Sequence, residues 1–118
     1  MEKFKHINLD YLNEISEGSG DLKRDLISMF IKQVPVFSDQ LNSYYQNGDY
    51  HSLGKLAHKI KSSVAMMGIN DLATDMKTLE NIAGEGIEKE KYPIIITKFK
   101  EISTEAINEL NTILINLK

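Results

Sequence analysis

The chain has 118 residues, 42% hydrophobic and 26% charged, with a net charge of −3 and no cysteine. These totals suit an ordinary globular protein, and we expect a single domain over residues 1–118 with one compact core. The acidic balance argues against a nucleic-acid binder, which needs a basic face. The lack of cysteine rules out disulfides and thiolate metal sites, and it fits a reducing, cytoplasmic setting. No apolar run reaches the roughly 18 residues of a membrane span, so no membrane contact is expected. The stretch Met1–His6 has no apolar signal core.

Helical periodicity dominates, with no convincing strand alternation. Asn8 suits the cap of a short first helix, with Leu9, Leu12 and Ile15 on one side. Glu17-Gly18-Ser19-Gly20 breaks it. A second helix is expected from about Asp21, with Leu22, Leu26, Met29, Phe30, Phe37, Leu41 and Tyr44 at helical spacing. Pro35 lacks a backbone donor and should bend or interrupt it. Gly48 suits a left-handed helix stop, and Asp49 suits the cap of a third helix from about Tyr50 to Met67, ending near Gly68.

Asn70 is expected to cap a fourth helix carrying Leu72, Met76, Leu79 and Ala83, which Gly84-Glu85-Gly86 ends. The last helix begins around Pro93, a residue tolerated in a first turn, and carries Ile96, Phe99, Ile102, Ala106, Leu110, Ile113 and Leu117. The branched run from Tyr92 to Thr97 imitates a strand, but a lone strand has no partner, so it is read as helix. Four long helices with short connections favour an all-α fold: an up-down antiparallel four-helix bundle with a short extra N-terminal helix.

The third helix is the informative one. Successive residues turn by about 100°, so with His58 at zero, Leu53, Leu56, Ile60, Val64 and Met67 fall at roughly 160–240°, facing the core. His51, Gly54, Lys55, Lys61, Ser62 and Ala65 fall within about 60° of His58, and Met66 at about 80°. Gly54 and Ser62, one turn before and after, are small enough to let a second protein reach the ring. An interior glycine costs roughly 1 kcal/mol relative to alanine, and a local rule broken beside a reactive side chain points to function. A neutral imidazole has a nitrogen lone pair and acts as a nucleophile near neutral pH. Lys61, one turn on, can offset charge on a phosphoryl group, with Lys55 a weaker candidate.

Periodicity alone leaves competing readings open. A merely solvated His58 stands at even odds with a functional one. Lys55 reads better as a surface lysine, and Ser62, Ser63 and Ala65 are also small enough to serve helix packing. Met66 stands evenly between bordering a docking surface and not, whereas Met67 reads as core. Gly68 is sufficiently explained as a helix stop. His51 lies about 10.5 Å from His58 along the axis, too far to share a metal ion without another element. His6 falls in a terminus expected to fray. Glu14, Glu17, Asp71, Asp75, Glu80, Glu85 and Glu88 read as solvated faces or caps. No glycine-rich phosphate cradle is present, so use of ATP is not expected.

Ala57-His58, then Lys61-Ser62-Ser63, Gly68 ten positions after the histidine, and Leu79-Glu80 closely resemble the histidine-containing phosphotransfer (HPt) domain of bacterial two-component phosphorelays. The resemblance extends over nearly the whole chain after about residue 8. It implies that His58 is phosphorylated on the ring nitrogen farther from the backbone, that Lys61 assists through its charge, and that Ser63 is the small polar position. It implies a phosphorelay intermediate without ATP-dependent kinase activity, accepting from one receiver aspartate and donating to another. The partners implied are response-regulator receivers and a hybrid sensor histidine kinase; Mg²⁺ would sit in the receiver, with no cofactor in this chain. A monomer is favoured. Gly54, Lys55, Ser62, Ala65 and Met66 would form the docking surface, and Ser62 departs from the family's usual glycine. The alternative is a helical adaptor that binds a receiver or kinase without transfer.

Overall fold

The computed structural model describes residues 4–117. Met1, Glu2, Lys3 and Lys118 lie outside the described residues, and with them part of the stretch read above for a signal core. The chain folds into α1 (Leu9–Ile15), α2 (Gly20–Gln46), α3 (Tyr50–Met66), α4 (Asn70–Glu85) and α5 (Tyr92–Ile115), with a 3₁₀ turn at Lys89–Lys91 before α5. Helices α2 to α5 form the expected four-helix bundle, each packed against its sequence neighbour and α2 against α5, while α1 leans on α3. The bundle measures 45 × 20 × 20 Å. No helix among the described residues is long and apolar enough to cross a membrane.

The helix starts follow local chemistry. Asn8 Oδ1 accepts from the Tyr11 amide at 3.0 Å, Ser19 Oγ from Leu22 at 3.1 Å, and Asp49 Oδ1 from Ser52 at 3.2 Å. Each side chain satisfies an amide that the first turn leaves orphaned. The Ser52 hydrogen bonds hold the Asp49 carboxyl below its ordinary range. Asn70 is not the cap of α4, contrary to expectation: the helix begins on it, and Ile69 stands at the cap position without a side-chain bond. The reason is the preceding turn, in which Ile69 gives its amide to Val64 and is itself buried.

Helix α2 runs unbroken through Pro35, so the interruption offered as one outcome there does not occur. A mid-helix proline costs about 3 kcal/mol, but Val34, Phe37 and Leu41 around and beyond it are buried, each contributing about 1.5–3 kcal/mol. Its core stripe is Ile27, Phe30, Val34, Phe37 and Leu41; Leu22 and Met29 face outward.

The run from Tyr92 to Thr97 is helical, with Pro93 in the first turn. Tyr92 is fully buried, its ring edge-on to Tyr50 at 5.2 Å. Its hydroxyl is within hydrogen-bond reach of the carbonyls of Ile87 (2.8 Å) and Ile82 (3.0 Å), tying the end of α4 to the start of α5. Burial pushes this phenol up. Tyr92→Phe keeps the ring and loses the bond, so we expect a loss of about 1 kcal/mol in urea unfolding. An unchanged midpoint would show that the hydroxyl contributes nothing.

Candidate functional site

His58 stands in the middle of α3, opposite the buried Leu53, Leu56, Ala57, Ile60 and Val64. Its side chain is 63% exposed. The angular reading therefore places the ring correctly: the core anchors the helix and turns this face to solvent.

What holds the ring comes from the neighbouring helix. Nδ1 of His58 lies 2.8 Å from Glu80 Oε2 on α4, and Lys61 Nζ donates to Glu80 Oε1 at 3.4 Å. One carboxylate thus bridges the histidine and the lysine. An ionised carboxylate only accepts, so this contact favours the proton on Nδ1. In the neutral ring, the lone pair is then on Nε2, the nitrogen on the far side from Glu80. Burial acts to raise the Glu80 carboxyl, but the Lys61 hydrogen bond and the His58 and Lys61 charges outweigh it, leaving the group below the ordinary carboxylate range. Glu80 is therefore anionic at neutral pH and remains an acceptor.

Glu80 corrects the sequence reading, which took it for a solvated or capping carboxylate. Its side chain is only 28% exposed, because α3 and α4 pack closely here. The Leu79-Glu80 motif was the signal for it, since Leu79 is buried and the next residue must lie at its flank.

Gly54 is a second correction. It shares the His58 side of the helix, yet it is buried against α4 instead of open to a partner. A Cβ there would lie 3.2 Å from the Gly84 amide nitrogen, 3.3 Å from the Glu80 carbonyl oxygen and 3.6 Å from the Ala83 Cβ. The angle was right, but the α4 backbone stands directly opposite this residue; the open space is a cleft beside it, lined by His51, Gly54, His58, Glu80 and Gly84.

Lys55, Ser62 and Met66 lie along the other flank, toward α2, and Ala65 is nearly in line with His58. Lys55 and Ser62 are exposed, Ala65 is half-buried and Met66 is 40% exposed. Ser63 is half-buried, its hydroxyl 3.4 Å from Gln33 Oε1 on α2, which gives it a packing role between helices. Met66 shares a shallow cleft with Leu26, Met29 and Gln33, so Met29, one of the apolar residues at helical spacing on α2, belongs to the surface. His51 is exposed, and no group of three His, Cys, Asp or Glu able to hold a metal ion occurs among the described residues.

Gly68 lies beyond the end of α3, with φ +73°, and is buried under Asn8. His6 is anchored instead of frayed: Nε2 lies 2.8 Å from Glu105, the Glu109 carboxylate accepts from its amide, and its side chain is 6% exposed. The His6 hydrogen bond and the Lys5 charge hold the Glu105 carboxyl below its ordinary range.

No curated protein and no solved structure matches the chain. The Hpt domain family model matches residues 25–114, starting within α2 and covering α3, α4 and nearly all of α5. The chain therefore belongs to the histidine-containing phosphotransfer (Hpt) domain family, whose members are phosphorelay intermediates that work with receiver and kinase domains and are not themselves kinases.

Proposed function

We propose that His58 accepts a phosphoryl group from a receiver's phospho-aspartate and passes it to the aspartate of a second receiver. The observation that carries this reading is the exposed ring with Nδ1 tied to Glu80. That bond directs the Nε2 lone pair outward as the nucleophile. Nε2 attacks phosphorus, an N–P bond forms, the acyl P–O bond breaks, and the aspartate leaves as a carboxylate. The ring, now bearing positive charge, keeps its Nδ1 proton against Glu80. Transfer onward reverses these bonds with a new carboxylate. Mg²⁺ belongs to the receiver's acidic site.

Lys61 supports the same step. It lies one turn from His58, half-buried and held by Glu80, where its charge can offset that of the phosphoryl group. The receiver would dock on the α2–α3 side, over Lys55, Ser62, Ala65 and Met66, with Met29 (57% exposed) and Val36 (54%) extending the surface onto α2. Methionine suits such a surface because it repacks against different partners. Ser62 leaves room beside the ring, though less than the family's usual glycine.

The test is to mix the protein with purified receivers carrying labelled phospho-aspartate. Label should move to this chain as acid-labile, alkali-stable phosphate, the behaviour of an N–P bond. Stable receiver binding with no transfer in either direction would identify an adaptor and overturn the proposal.

A further inference from the structure

We propose that Gly54 is a positioning residue for this site: lacking a Cβ, it seats the α4 backbone against α3 so that the Glu80 carboxylate reaches Nδ1 of His58. The inference rests on the reading of His58 as the phosphoryl acceptor, and adds the element that sets the ring.

Three observations meet at this residue. Gly54 lies four residues before His58, and helical side chains lean toward the N-terminus, so the His58 ring lies over the turn that contains Gly54. The α4 atoms nearest a Cβ at this position are backbone atoms, including the carbonyl oxygen of Glu80 itself at 3.3 Å. Glu80 then spans from that backbone to both His58 and Lys61. A methyl group at position 54 presses on the main chain of the residue that holds the ring. Backbone yields less readily than the tip of a flexible side chain, so α4 must withdraw by a few tenths of an ångström. The Nδ1–Oε2 contact has little slack, because its atoms already lie at hydrogen-bond distance, 2.8 Å, and Lys61 holds the other carboxylate oxygen.

Gly84 provides the control. It faces Gly54 through its amide, but a Cβ of its own would meet nothing within 4 Å. Glycine is a poor helix former, so alanine favours the helix at both positions, though less at Gly84, in the last turn of α4. Only at position 54 does it meet the opposing backbone.

The experiment uses ¹⁵N-labelled histidine and reads the two ring nitrogens of His58, assigned by their loss in His58→Gln. Wild type should show the proton on Nδ1. Gly54→Ala should remain folded, since alanine favours helix, and should move the ring proton toward Nε2 and slow phosphoryl acceptance roughly tenfold. Gly84→Ala should keep the wild-type ring signals. In a Glu80→Ala background, adding Gly54→Ala should change the ring no further, because its route of action is gone. Wild-type ring signals in Gly54→Ala, or an equal shift in the Glu80→Ala background, would overturn the inference. If no receiver phosphorylates the protein but the ring shifts as described, the positioning role stands and the proposed function falls.

Discussion

His58→Gln is expected to leave the bundle intact and to reduce acid-labile labelling by a phosphorylated receiver to background. The ring is 63% exposed and contributes no core packing, so its loss should move stability by no more than about 0.5 kcal/mol. Glutamine has roughly the reach of histidine and can still meet Glu80, but its amide nitrogen has no available lone pair. Positioning and charge compensation survive the substitution; the nucleophile does not. The paired measurements are phosphoryl transfer and thermal unfolding. Neither other histidine is placed to substitute: His51 lies two turns away, and His6 is 6% exposed with Nε2 against Glu105. Equal labelling of wild type and His58→Gln would show that the acceptor lies elsewhere.

Gly68→Ala should be strongly destabilising, although it lies ten residues from His58 and adds one carbon. Two costs combine. The residue has φ +73°, where a side chain costs about 1–2 kcal/mol. The new Cβ would also lie 2.9 Å from the Asn8 amide nitrogen and against the Asn8 Cβ, a position no relaxed structure allows. Asn8 has little freedom to retreat. Its amide donates to the Met67 carbonyl, and its side chain caps α1. Either the segment before α1 lifts off or the turn after α3 opens, exposing Ile7, Met67 and Ile69, all buried.

We expect a total loss of roughly 3 kcal/mol, on the order of 10 °C in the unfolding midpoint. Gly48→Ala separates the two costs. That residue also has positive φ, but its Cβ would meet nothing within 4 Å, so only the backbone term should appear. If the two variants melt together, the packing under Asn8 contributes nothing.

How much could be read from the chain depends on the distance over which each feature is decided. The caps at Asn8 and Asp49, the stops at Gly48 and Gly68, and the exposed His58 opposite Leu53, Ile60 and Val64 were all legible. Each is settled within about one or two turns of a single helix, where backbone geometry dictates which residues are neighbours. Pro35 marked the limit of local rules, because burial of the residues around and beyond it outweighs the missing hydrogen bond. The apolar residues of α2 do not all share one face: at about 100° per residue, Ile27 lies roughly 50° from the mean direction of Phe30, Val34, Phe37 and Leu41, whereas Leu22 and Met29 lie roughly 90–110° from it, and both are exposed.

By itself, the sequence determined that this is a helical bundle, that His58 lies on its third helix, and that the ring faces away from the core. Only the tertiary structure decided what holds it. Glu80 follows His58 by 22 residues along the chain, and Gly54 meets the backbone of Glu80 and Gly84 across a helix interface. Their meeting depends on the axial register and spacing of two helices, set by the packing of the whole core and not by any local run of residues.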